Sequence, residues 1–400
     1  MSARIVSIGT AVPPTCVPQE RARAIFAGQP GADRLTQRLI HAAFEASAIE
    51  RRHTVLTEFG DDLPPREVVP EGRARFADDE GRMLRPSTGS RNDLYLAAAP
   101  ELNARAARAA LADAGIAASA ITHVVTVSCT GFFAPGPDYR LVRDLGLDAT
   151  VERYHLGFIG CAAAMPGLRL ASRITAAQPD AVVLVVCLEL CTLHIRPSAD
   201  PQQIVAASVF ADGAAAAIVT ADASVGRAGG LELDRFSTAL TSEGEADMVW
   251  TIGDDGFEMT LSAEVPRIVG REIRGAVDAF LSGEPMPDAW AVHPGGRSVL
   301  DRVEAGLGLE PAALDTSREV LRDYGNMSSA TILFILRRML DDDRLADGAR
   351  LGTLAFGPGL TVESAMLVKR GAMGATADAV SAAEAVSAAD AAPVEAVVGA

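Results

Sequence analysis

The 400-residue chain is 49% apolar with a mean hydropathy of +0.19, ample for a large buried core in two domains or one duplicated unit. Its 52 acidic residues against 36 basic ones leave a formal charge of −16, which argues against an unspecific grip on nucleic acid or an anionic membrane and obliges any anionic ligand to find a local positive pocket. The five cysteines are odd in number, widely spaced and mostly set in apolar runs, a pattern of free thiols in a reducing cytoplasm rather than of a disulfide framework or a structural zinc site.

The first predicted element is a strand, "RIVSIGTAV", in an N-terminus too brief and too broken by Pro13 and Pro14 to be a signal peptide. Residues 57–90 are polar, proline-bearing and without sustained period, which predicts a long surface excursion. A helix follows over "DLYLAAAPELNARAARAALADAG", then a strand at "HVVTVSC", a helix at "CAAAMPGLRLASRITAAQ" and strands at "AVVLVVCLEL" and "AAAAIVTA". The run "AVVLVVCLEL" is interrupted by Glu189, well short of the roughly 20 apolar residues of a membrane span, so a soluble protein without a membrane partner is expected. Around 221–230, "ADASVGRAGG" loses hydrophobic pattern and marks a boundary between two halves. Beyond it come strands at "GFEMTLS", "AWAVHPG", "LGTLAFG" and "VESAMLVKR", with helices at "SVLDRVEAGLGL" and "SATILFILRRML". This alternation predicts an α/β protein with its sheets covered on both faces. Residues 371–400 hold alanine, valine and only acidic charges after Arg370, and read as a disordered tail.

Three polar groups stand out because each is expected where a strand hands over to a helix, the edge at which sites are commonly assembled in α/β proteins. Cys161 in "GFIGCAAAMPGLRL" falls at a predicted helix start, where unpaired N–H groups and the macrodipole favour thiolate over thiol and a nearby imidazolium favours it further. It reads either as a nucleophile or as a small apolar residue packed under the helix. His293 in "WAVHPGGRSVLDRV" follows a short strand, and reads as its partner or as a hydrogen-bonded structural histidine. Asn326 in "RDYGNMSSATILFIL" follows a glycine turn, and reads as a third member or as a helix N-cap.

Taken in order, "RPSTGSRNDLY", "SCTGFFAPGPDYRLVRDLGL", "GFIGCAAAMPGLRLA", "VFADGAAAAIV", "AVHPGGRSVLDRVE", "REVLRDYGNMSSATILFIL" and "FGPGLTVESAML" resemble the signature segments of type III polyketide synthases, the chalcone and stilbene synthase family, over about Arg4 to Lys369. The resemblance implies a thiolase-like fold, a duplicated five-layered α-β-α-β-α architecture, with a half at 1–222 carrying the cysteine and a half at 223–370 carrying the histidine and asparagine. It implies a homodimer, no metal or other cofactor, and two substrates, an acyl-coenzyme A starter and malonyl-coenzyme A. Cys161, His293 and Asn326 become the catalytic set. A thiolate accepts the acyl group, and His293 and Asn326 donate hydrogen bonds to the enolate left when malonyl-coenzyme A loses carbon dioxide.

By the same resemblance Phe210 is a gate residue between access tunnel and reaction cavity, and Met259 stands where the family has a second gate phenylalanine. Cys129, Cys191 and His194 fall where plant chalcone synthases have threonines, and Trp250 where they have a glycine, so the pocket is reshaped and chalcone is not the expected product. Cys129 and Cys191 read as cavity lining or as additional thiols. Phe356, Gly357 and Pro358 resemble the family's glycine-proline loop. Where the family sets basic residues against coenzyme A, "HAAFEASAIERR" offers alanines, so Arg34, Arg38 or Arg297 is the expected replacement. The weighed alternative is a ketoacyl synthase of fatty-acid initiation that passes its product to an acyl carrier protein. A papain-like cysteine hydrolase fits poorly, because nothing marks a secreted, disulfide-bearing chain.

Overall fold

The structure, a computed structural model, describes residues 2–60, 74–226 and 228–371; the expected tail and the middle of the 57–90 excursion lie outside these. The strands are β1 (Arg4–Ala11), β2 (Thr15–Pro18), β3 (Arg51–Thr54), β4 (His123–Ser128), β5 (Glu152–Gly157), β6 (Val182–Leu190), β7 (Asp212–Thr220), β8 (Gly230–Leu240), β9 (Met248–Gly253), β10 (Gly256–Leu261), β11 (Ala289–Val292), β12 (Arg350–Gly357) and β13 (Thr361–Arg370). The α-helices are α1 (Gln19–Ala27), α2 (Arg34–Ala46), α3 (Thr88–Ala114), α4 (Pro137–Leu145), α5 (Ala164–Ala177), α6 (Pro201–Val209), α7 (Val265–Leu281), α8 (Arg297–Leu307), α9 (Asp315–Tyr324) and α10 (Thr331–Leu340).

Nine strands form one sheet in the order β11-β12-β13-β8-β1-β7-β6-β4-β5. The N-terminal five and the C-terminal four meet at a short antiparallel pairing, in which Arg4 faces Glu232 and Ile5 faces Leu231. Strands β6 and β7 are buried along their whole length. They lie covered on both faces, which is why they read as unbroken apolar runs. The alanines of β7 allow helices to approach closely, α3 on one side and α5 and α10 on the other. At Gly9 of β1 the approach is closest: a Cβ there would lie 2.3 Å from the Ala106 oxygen of α3.

Helices α5 and α10 share one core with strands of both half-sheets, while α3 packs in a second core on the far face of the N-terminal half and α7 and α8 in a third on the far face of the C-terminal half. The stacking is therefore helix, half-sheet, two central helices, half-sheet, helices, the five layers expected. The predicted strand "GFEMTLS" does not join the main sheet. It is β10, paired with β9 in a separate hairpin that sets Met259 opposite Trp250.

Candidate active site

Cys161 sits where β5 hands over to α5, but the α-helix proper begins at Ala164. The cysteine belongs to a 3-10 turn over Gly160–Ala162, entered through left-handed backbone at Phe158 (φ 57°) and Gly160 (φ 80°). The thiol is buried. Burial pushes it up to about 11, against the pull of hydrogen bonds with Ser328 and Asn326, so the helix start alone does not leave sulfur anionic as the sequence argument expected.

His293 follows β11 as expected, its N–H bonded to the Leu354 oxygen at 2.8 Å. The ring is fully buried, neither nitrogen has a partner among the described residues, and burial pushes it down to about 3. Asn326 departs from expectation. It follows helix α9 rather than a strand, because Gly325 (φ 73°) breaks that helix and the next residue makes a one-residue parallel bridge with Phe210. Its Oδ1 accepts the Ser328 N–H at 2.8 Å, a local turn bond rather than the helix N-cap weighed from sequence, since Met327 and Ala330 hold the cap positions of the 3-10 turn and of α10; the bond fixes the carboxamide so that Nδ2 reaches the Gly295 oxygen at 3.4 Å.

Cys161, His293 and Asn326 all line one outer cavity, together with Phe210, Met259 and Phe356. Cys161, Phe210 and Met259 also line a smaller inner cavity, so they stand at the passage between the two. Trp250, His194, Cys129, Cys191 and Pro358 line the inner cavity, as expected. Gly357 lines neither; a Cβ there would lie 3.0 Å from the Ile159 oxygen, so it seats the loop against the turn that carries Cys161.

The inner wall is held by two ring N–H donors on consecutive carbonyls. Trp250 Nε1 donates to the Cys129 oxygen at 2.7 Å and His194 Nε2 to the Thr130 oxygen at 2.8 Å, while His194 Nδ1 accepts the Phe257 N–H at 3.0 Å. The His194 ring stacks on Phe257 with centroids 4.1 Å apart. Burial first, then the charges of Arg91 and Arg196, push His194 down to about 3 against its bond to Thr130. It is a neutral structural ring with no proton to exchange near pH 7. Phe257 escaped the sequence reading although it lies two residues before Met259 on the same face of β10, the period that would have found it.

Cys129 Sγ accepts the Gly160 N–H at 3.1 Å, and burial pushes both Cys129 and Cys191 well above the ordinary thiol range, which favours lining over reactivity. Glu189 was also missed as a site residue. Fully buried, it accepts the Cys129 N–H at 2.9 Å, Thr130 Oγ1 at 3.0 Å and Ser329 Oγ at 2.6 Å, and burial pushes it up to about 7. Its signal was an acid inside an apolar strand.

The outer cavity is also lined by Arg297, one of the three arginines weighed from sequence, and by Arg267 and Arg302, which sequence did not single out. Arg34 and Arg38 do not line it. They are exposed residues of α2, whose Ala43 and Ala46 form the wall instead.

A family model for the chalcone and stilbene synthases, N-terminal domain, matches residues 1–223, and one for the C-terminal domain matches residues 233–370. The chain belongs to the chalcone and stilbene synthase family. It is 34% identical over 382 residues to bisdemethoxycurcumin synthase of Oryza sativa subsp. japonica, covering 91% of this chain and 92% of that one. The C-terminal type III polyketide synthase domain of Steely1 from Dictyostelium superposes with a TM-score of 0.82 at 29% identity, over 92% of this chain and 99% of that one. PKS-I from the brown alga Ectocarpus siliculosus gives 0.84 at 29% identity, over 92% and 98%. As a type III polyketide synthase with a thiolase-like fold, this chain is an acyl-transferring condensing enzyme acting on coenzyme A thioesters. Among the described residues no helix is long and apolar enough to cross a membrane.

Proposed function

We propose that the chain loads an acyl-coenzyme A starter onto Cys161, extends it iteratively with malonyl-coenzyme A and releases a cyclised pyrone or phenolic product. The observation that carries this reading is the meeting of Cys161, His293 and Asn326 on one cavity that a narrower second cavity continues. Sulfur attacks the starter carbonyl, its proton passes to neutral His293, and coenzyme A leaves with that proton. Malonyl-coenzyme A then loses carbon dioxide, and the electron pair of the broken bond remains as an enolate. Asn326 Nδ2 and a His293 N–H meet the enolate oxygen in a site from which Phe210 and Met259 exclude water, each donor contributing about 3 kcal/mol by analogy with oxyanion holes. The enolate carbon attacks the acyl carbonyl and expels the sulfur. No step requires a metal or redox cofactor.

Arg267, Arg297 and Arg302 are the proposed partners of the coenzyme A phosphates, a local cationic mouth on a chain of charge −16. The tryptophan-walled inner cavity favours few extensions and a product other than chalcone. The proposed halves join between β7 and β8, and the proposed assembly is a homodimer. The five cysteines are free, which suits the cytoplasm proposed as its compartment.

Purified protein given malonyl-coenzyme A and short, aromatic and long-chain starters should release coenzyme A and carbon dioxide and form a new small molecule, and Cys161→Ala should abolish the product. Silence across all three starter classes would remove the reading. Product recovered on an acyl carrier protein would favour the fatty-acid alternative.

A further inference from the structure

Helix α6 ends at Val209, and each of its last four carbonyls needs a partner beyond the helix. The Ala206 oxygen takes the Phe210 N–H at 3.1 Å and the Val209 oxygen takes the Asn326 N–H at 2.8 Å. The two between are met from β3 and α1: Ala207 by Arg52 Nη1 at 2.7 Å, and Ser208 by Arg52 Nη2 at 2.7 Å and Gln19 Nε2 at 2.9 Å. One residue on, the Phe210 oxygen accepts Arg52 Nη1 at 2.9 Å, and the Ala211 N–H bonds the Asn326 oxygen at 2.9 Å. Phe210 and Asn326 are thus one backbone unit, and Arg52 closes it from behind.

The remaining N–H groups of Arg52 go to Gln19 Oε1, from Nε at 3.1 Å and from Nη2, so all five of its donors are used. Arg52 is 4% exposed on β3 and lines neither the inner nor the outer cavity, so it touches no substrate. A cation at a helix C-terminus is favoured by the macrodipole, and the Asp212 carboxyl supplies an opposing charge. Cys161, by contrast, is placed by the Gly160 turn and the Phe356–Pro358 loop, with no contact to Arg52 in that arrangement.

We propose that Arg52 is a positioning residue for decarboxylation: by closing the end of α6 it fixes the Phe210 ring and the Asn326 amide at one spacing from Cys161. The proposal rests on the condensing reaction argued above. It separates two half-reactions, because acyl loading draws on this unit only through the Asn326 bond to Cys161, whereas carbon dioxide loss needs both the Phe210 ring and the Asn326 amide.

Arg52→Lys keeps the charge and loses the fork. In the full chain, the rate of Cys161 acylation by a starter coenzyme A ester, read by intact mass, should fall far less than carbon dioxide release does. Carbon dioxide release from malonyl-coenzyme A should fall about 10- to 100-fold in kcat with KM unchanged, the scale expected for a displacement of about 1 Å. Gln19→Met, which removes the acceptor of two Arg52 bonds, should show the same split at smaller size and carries the test if Arg52→Lys does not fold. Equal losses in both half-reactions, or no loss in either, would overturn the assignment while leaving the polyketide reading intact. Wild-type protein that releases no carbon dioxide from malonyl-coenzyme A would overturn both.

Discussion

Two imidazoles in this site are both held neutral by burial, in different surroundings. His194 spends both nitrogens on backbone partners, whereas neither nitrogen of His293 has a partner among the described residues. Both are pushed down to about 3 by burial, from an ordinary value near 6.5. Between those values the unfolded chain binds protons that the folded one does not, so the stability each ring contributes is fully present above about pH 6.5 and is lost as pH falls toward 3. At pH 4.5 the loss is about 2–3 kcal/mol per ring. Glu189 acts in the opposite sense: its carboxyl, pushed up to about 7, favours the folded state as pH falls from about 7 to 4.5. The histidine part is therefore read by difference. The fall in urea midpoint between pH 7 and pH 4.5 should be smaller in His194→Gln than in wild type, and equal falls would contradict the neutral assignment. At Trp250 the expected effect is on product: Trp250→Gly should shift the product spectrum toward larger molecules in mass spectrometry. An unchanged spectrum would show that the indole does not bound the growing chain.

The element that matters most is the turn carrying Cys161. Gly160 adopts left-handed backbone there, and a Cβ on it would lie 2.2 Å from Pro358 Cδ. Gly160→Ala therefore strains the backbone by about 1–2 kcal/mol and must also displace the loop that shapes the inner cavity. Condensation should fall at least tenfold while circular dichroism stays native, and full activity would mean that loop and cysteine are not mechanically linked. This turn was half legible in the sequence. The apolar run before Cys161 and the alanine-rich run after it located the handover, because periodicity reports strand and helix directly. The three-residue 3-10 insertion has no such signature. Asn326 shows the same limit: "YGN" announced a break, but only the tertiary bridge to Phe210 explains why the asparagine faces Cys161 after a helix rather than a strand. The coenzyme A mouth was the least legible part. Arg267 and Arg302 lie more than 200 residues from α2, and no local pattern brings them to its alanine wall.

At the scale of the molecule, the five layers put all three polar groups at one junction, where the central helices α5 and α10 start between the two half-sheets. That plan was readable from the alternation of strands and helices and from the motif order, since each layer needs its own apolar face. A seam for the proposed homodimer was not, because an edge strand reads like any other. Among the described residues β5 pairs only with β4 and is largely exposed, and Tyr154, Phe158 and Phe132 are partly exposed on or beside it. An open edge strand flanked by exposed aromatics invites pairing. The proposed homodimer predicts about twice the 41.6 kDa chain mass by light scattering at micromolar concentration, and a shift toward monomer in Phe158→Glu. A wild-type monomer would reject it.

The most direct test of the catalytic assignment is intact-protein and peptide mass spectrometry after mixing the chain with a starter coenzyme A ester. The account predicts a mass gain of one acyl group, located on Cys161 and discharged when malonyl-coenzyme A is added. An adduct on another cysteine, or none with any starter class, would contradict it.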